Sequence, residues 1–139
     1  WWNLLDCWPQ FSDAVVDYYF EKKLAFEYLK RSQEPLLLML DEPQNWRLCA
    51  VLGNDGSRSF TGTYRISDAE TGETLAEGSF DSPANQNVAL TELRVSRSET
   101  RFYLLELFTE GKRIVNHYLH LSGALELPRY ENFLKTLQA

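Results

Sequence analysis

The feature that most constrains this chain is a change of hydrophobic period at Pro35. Before it, Leu24, Ala25, Tyr28 and Leu29 recur at helical spacing within a stretch running from about Lys22 to Ser32. After it, the period becomes two. Proline cannot extend a helix and restricts the residue before it, so the switch falls at Glu34 and Pro35. A single continuous core of one secondary-structure type is thereby excluded.

Upstream of the switch, Trp1 to Pro9 is apolar apart from Asn3 and Asp6, the pattern of a strand buried on both faces as parallel sheets require. Ser12 and Asp13 follow as cap candidates for the helix. Strand then helix is half of a βαβ unit, so residues 1–34 read as the tail of an α/β domain. The sequence opens at Trp1 without an initiator Met, and its single Met is Met39, so the chain is expected to be part of something longer.

Downstream, Leu36 to Leu40 reads as a short apolar strand. Trp46, Leu48, Ala50 and Leu52 alternate on one face of the next, which ends at the turn Asn54-Asp55-Gly56. Phe60, Gly62, Tyr64 and Ile66 alternate with polar residues, and Glu70-Thr71-Gly72 turns the chain into a partner ending near Phe80. Val88 and Leu90 are in one phase and Leu93 and Val95 in the other, which predicts a bulge near Thr91 and Glu92. Arg101 to Phe108 is apolar on both faces and reads as a central strand. Glu110-Gly111 closes a hairpin to Ile114–Leu121, where Val115, Leu119 and Leu121 share a face. Seven short strands over residues 35–123 predict an immunoglobulin-like β-sandwich. Residues 124–139 form a helical extension starting at Pro128, with Tyr130, Phe133, Leu134 and Leu137 on one side. The fold class is therefore mainly β: a sandwich preceded by a strand and helix of a TIM barrel and followed by a short C-terminal helix.

The charge balance of 14 basic and 20 acidic residues, net −6, opposes binding to a phosphate backbone or an anionic lipid surface. Neither nucleic acid nor membrane is expected as a partner. Eight Phe, seven Tyr and four Trp suit both a β-rich core and a carbohydrate context, where exposed rings stack on sugars. Cys7 and Cys49 read as free, buried thiols.

His117 and His120 invite a metal reading, but in a strand an odd separation sends them to opposite faces. His117 falls in phase with Val115 and Leu119, which places it at the edge of the core. Asp6, Asp13, Asp17 and Glu21 resemble in type the paired carboxylates of a glycosidase, yet near a helix start such residues are ordinary caps and dipole partners. The sequence has no phosphate loop, no Cys-X-X-Cys and no Gly-X-Ser-X-Gly, so no catalytic residue, metal site or cofactor is assigned.

Trp2-Asn3-Leu4-Leu5-Asp6-Cys7-Trp8-Pro9, with Val16-Asp17-Tyr18-Tyr19 and Leu29-Lys30-Arg31-Ser32 after it, resembles the end of the catalytic barrel in glycoside hydrolase family 2, nearest its β-mannosidase-like branch. That family shows a Trp-Gln-X-Asn-Asp-X-Trp-Pro type strand, an Asp-Tyr pair, a helix rich in Tyr and Lys, and then a β-sandwich. Here Asn3 stands where Gln is common and Leu5 where Asn is common. The resemblance implies that the two catalytic glutamates lie on earlier barrel strands, outside this sequence. It also implies that Trp2, Asp6 and Trp8 bind substrate, a β-linked glycoside or oligosaccharide, once the rest of the barrel is present. The chain then reads as a C-terminal accessory part of a retaining β-glycosidase, silent alone. A carbohydrate-binding sandwich and a ligand-free scaffold are the alternatives, and the in-phase placement of Trp46, Phe60 and Tyr64 favours core packing over a ligand platform.

Overall fold

The computed structural model describes residues 3–10 and 12–138. The chain divides into two compact units, Trp1–Glu34 and Pro35–Ala139.

In the first unit, the described residues 3–9 of the apolar opening segment do not form the expected strand. Among the described residues it makes one parallel bridge, Leu5 to Val16, with the Asp6 amide donating to the Val16 carbonyl (3.1 Å) and the Val16 amide to the Leu4 carbonyl (2.9 Å). Leu4, Leu5 and Trp8 are exposed. A strand of a parallel sheet needs neighbouring strands along its edges and layers packed over both faces, and Val16 supplies only one bridge before turning to bridge Lys22. The turn from Asp17 to Glu21 is held by Asp17, whose Oδ1 accepts from the amides of Tyr19 (2.9 Å) and Glu21 (2.8 Å).

Helix α1 spans Leu24–Ser32. Its N-cap is Lys23, without a side-chain cap bond, so Ser12 and Asp13 are not its caps. Ser12 is instead engaged by Asp6 and accepts from the Ala14 amide. Lys30 and Arg31 in the last turn complement the helix dipole, and the helix stops short of Pro35 as expected.

The second unit is a β-sandwich. Its strands are β1 (Leu36–Leu40), β2 (Arg47–Asn54), β3 (Phe60–Asp68), β4 (Thr74–Ser82), β5 (Gln86–Arg94), β6 (Arg101–Thr109) and β7 (Lys112–His120). Three form an antiparallel sheet in the order β1-β2-β5, and four a second in the order β4-β3-β6-β7. Leu36, Leu38, Leu40, Leu48, Ala50 and Leu52 from the first sheet pack against Tyr64, Ile66, Phe80, Tyr103, Leu105 and Leu107 from the second. Period-two alternation puts these residues on the inner faces, where apolar burial stabilises the fold by roughly 25 cal/mol per Å².

The bulge falls one residue from its expected place: Ala50 pairs with Thr91 but Val51 with Ala89, leaving Leu90 as the additional residue. Glu110 and Gly111, at φ 49° and 74°, form the two-residue turn between β6 and β7. Asn54, fully buried at the end of β2, donates from Nδ2 to the carbonyls of Arg58 (3.0 Å) and Pro83 (2.9 Å) and accepts from the Gly56 amide (2.9 Å). One side chain thus ties two connecting loops together.

Helix α2 (Leu127–Gln138) covers the outer face of the four-stranded sheet. Phe133 stacks on Phe102 with ring centroids 4.8 Å apart, and Arg129 makes a two-pronged pair with Glu70 (2.7 and 2.6 Å). This explains why β6 is apolar on both faces: Tyr103, Leu105 and Leu107 face the inter-sheet core, and Phe102 faces the helix.

The helix also corrects the reading of β7. Ile114 and Tyr118 are the residues that pack against the core, whereas His117 lies in the opposite phase with its ring 5.4 Å from Phe133. With apolar residues on both faces of β7, periodicity could not choose between them. Leu121 is exposed. Trp46 is a second correction. It precedes β2 in a turn, at φ 61°, and is 53% exposed rather than in the core, while Tyr64 is buried and Phe60 half-buried against the core. Cys7 and Cys49 are both free; Cys7, however, is exposed and Cys49 only part-buried.

Candidate functional site

The sequence-assigned residues with described structure, Asp6 and Trp8, both belong to the first unit; Trp2 lies outside the described residues. Asp6 is 3% exposed, and a buried carboxylate needs a cation and hydrogen bonds to remain charged. Lys23, immediately before α1, supplies the cation at 2.8 Å from Oδ2 and also donates to the Ser12 carbonyl (3.1 Å). The Ser12 hydroxyl donates to Oδ1. The hydrogen bond from Lys23, then that from Ser12, hold the Asp6 carboxyl below the usual carboxylate range.

Asp6 is therefore an ionised, fully engaged group that fixes the loop between itself and Ser12. Trp8 stands on that loop, 65% exposed, its indole N–H donating to Gln10 Oε1 at 3.1 Å. One face-bearing ring is thus presented to solvent from a loop whose base is pinned by a part-buried ion pair. Tyr18, Tyr19 and Phe20 are also exposed, with Tyr18 and Tyr19 edge to face at 5.3 Å.

The other acids do not assemble into a pair around Asp6. Asp17 spends its carboxylate on the amides of its own turn. A general acid for glycoside hydrolysis needs a raised pKa, and Asp6 is shifted the other way. The imidazole of His120 is hydrogen-bonded to the Ser96 carbonyl (3.0 Å), and among the described residues no three His, Cys, Asp or Glu side chains gather with metal-ligating geometry. Sequence reasoning took Ser12 as a helix cap and missed Lys23, which lies 17 residues from Asp6 along the chain. The only available signal was that an acid placed in an apolar run must find a cation.

No family model and no curated protein matches the sequence. Among solved structures, a β-D-mannosidase from Dictyoglomus thermophilum aligns with a TM-score of 0.65 and 29% identity, over 85% of this chain and 15% of that one. The fold is glycoside hydrolase-like. The aligned length exceeds either unit alone, so the likeness includes part of both. The chain spans only a small share of the mannosidase's length.

Proposed function

We propose that this chain is the C-terminal accessory part of a retaining β-glycosidase of the family 2 type, acting on β-mannosides or related β-glycosides and inert by itself. The likeness to the β-D-mannosidase, at 29% identity over 85% of the chain, is the observation that carries the reading. It is supported by the barrel-end motif around Asp6 and Trp8. The three-on-four strand arrangement of the second unit supports an immunoglobulin-like sandwich.

In this reading the first unit contributes the last strand and helix of the catalytic barrel, and the rest of the barrel is its partner. Leu4, Leu5, Tyr19 and Phe20, exposed here, would meet that partner. Trp2 and Trp8 would face the sugar, and Asp6 would take part in the site by holding the Trp8 loop through Lys23 and Ser12.

The test compares this chain with the protein encoded when the reading frame upstream of Trp1 is included, on aryl β-mannosides, β-galactosides and β-glucuronides. The longer protein should turn over at least one of them, and replacement of Trp8 with Ala should lower its kcat/KM. The chain alone should show none above the uncatalysed background. Turnover by the purified chain, or an upstream region without a barrel carrying two glutamates, would overturn the reading.

A further inference from the structure

A cleft of about 510 Å³ opens in the second unit at the loop joining β1 to β2, lined by Asp41, Glu42, Gln44 and Asn45 of that loop, Arg47 and Cys49 of β2, and Glu92 of β5. The turn at its rim adopts a backbone that its sequence disfavours. Gln44 and Arg47 exchange both backbone hydrogen bonds (2.9 and 3.0 Å), and between them Asn45 and Trp46 sit at φ 50° and 61°. Asparagine tolerates this left-handed geometry; a bulky aromatic side chain there is an outlier, in a place ordinarily taken by glycine. The Trp46 carbonyl accepts from the Val95 amide (3.0 Å), which helps hold the turn. Trp46 is largely exposed and flanked by two cleft residues, Asn45 and Arg47. Strain maintained at an exposed side chain beside a cleft marks function more than stability.

The lining says what kind of ligand would fit. Asp41 and Glu92 offer planar acceptors, while the Arg47 guanidinium and the Gln44 amide offer planar donors. Arg47 is oriented by Glu92 at 2.7 Å, and the Asp41 backbone is fixed to β2 by the hydrogen bond its N–H donates to the Cys49 carbonyl (2.9 Å). Burial, with Asp41 and Glu92 nearby, pushes the Cys49 thiol up, so it stays protonated and unreactive. A net acidic lining opposes an anion, and a polar one opposes an aliphatic ligand. A neutral polyol satisfies donors and acceptors together, and the carbon face of a sugar ring suits an exposed indole.

We propose that this cleft is an oligosaccharide subsite, in which Trp46 stacks on a sugar ring while Arg47, Asp41 and Glu92 hydrogen-bond its hydroxyls. The subsite is distinct from the Trp8 loop, and it rests on the glycosidase reading for the source of the sugar chain.

The test is an amide and indole NMR titration of the chain with β-1,4-mannobiose through the millimolar range. Saturable shifts should appear at the Trp46 indole N–H, the amides of Gln44 to Cys49, and Glu92. Replacing Trp46 with Gly should weaken binding by at least about tenfold while raising the thermal midpoint, because glycine relieves the turn. Arg47→Ala should also weaken binding, and Trp8→Ala should leave the shifts in place. No saturable shift, shifts that persist in Trp46→Gly, or equivalent shifts with a lysine-rich peptide in place of the sugar would overturn the subsite. If the longer protein still hydrolyses an aryl β-glycoside, such a failure removes the subsite alone; if it does not, the glycosidase reading falls as well.

Discussion

Tyr64 on β3 lies directly across the ladder from Gly78 on β4, and its ring fills the space that a side chain at position 78 would need. A Cβ on Gly78 would come within 3.0 Å of Tyr64 Cε1 and 3.1 Å of its hydroxyl oxygen. The glycine lets a buried aromatic residue lie flat over a strand at the edge of its sheet, and so joins the inner core to the sheet's end.

Gly78 and Gly62 should therefore tolerate a methyl group unequally. At Gly62 the added Cβ would sit 2.2 Å from the Phe108 backbone carbonyl, which cannot move without distorting β6, whereas at Gly78 a ring can shift. Overpacking of this kind costs typically 1 to 3 kcal/mol, here about 1 for Gly78→Ala and about 3 or more for Gly62→Ala. Urea unfolding of the two variants checks the order; equal midpoints would contradict it.

Helix α2 should depend on its apolar anchor more than on its ion pair. Phe133 is 2% exposed and stacked on Phe102, so Phe133→Ala should destabilise docking by about 3 to 5 kcal/mol. Arg129 and Glu70 are each about one third exposed, and Glu70→Gln should cost less than about 1 kcal/mol. Amide exchange from Tyr130 onward reports the difference: protection lost in the first variant and retained in the second.

Acid should release the Trp8 loop. Folding lowers the Asp6 pKa from its ordinary 3.8, so the folded loop binds its proton less readily than the unfolded chain does. The stabilisation is fully present above that value and is lost as pH falls through the lower folded value. Protection of the Asp6 and Val16 amides, followed down the acid range, should collapse in this chain. In Asp6→Asn it should be weak already at neutral pH and insensitive to acid.

Alkali should act on the opposite unit. Burial pushes the Tyr103 phenol up to about 12, with Glu99 adding to the shift, and its hydroxyl has no hydrogen-bond partner among the described residues. Burial disfavours the phenolate in the core, so stability is unaffected below pH 10 and declines as pH rises from there through about 12. Tyr118, raised in the same direction first by burial and then by Glu42, adds a smaller loss. Tyr103→Phe should preserve the core, gain up to about 1 kcal/mol at neutral pH, and leave only the Tyr118 share of the alkaline decline. A calorimetric series from neutral to strongly alkaline pH measures both.

The sandwich was legible because its information is local. Leu36–Leu40 is the strand that its composition indicates, and the phase change between Leu90 and Leu93 locates the bulge to within a residue. Turn residues with left-handed backbones, such as Glu110 and Gly111, announce the hairpin that they close. Trp46 misled for a related reason: it continues the alternation of Leu48, Ala50 and Leu52 on paper, but it lies in the turn before β2, which begins only at Arg47.

By itself, the sequence determined the period change at Pro35, the strand count and alternation of the sandwich, and an amphipathic terminal helix. Each follows from the fixed geometry of helices and strands acting over a few residues. Only the tertiary structure decided that residues 3–10 are a loop, that Asp6 pairs with Lys23, that Ile114 and Tyr118 rather than Val115 and Leu119 face the core, and that α2 seats Phe133 on Phe102. These outcomes depend on which surface is available to a segment from distant parts of the chain. An apolar run becomes a strand only beside another strand, and a buried charge settles wherever an opposite charge can reach it.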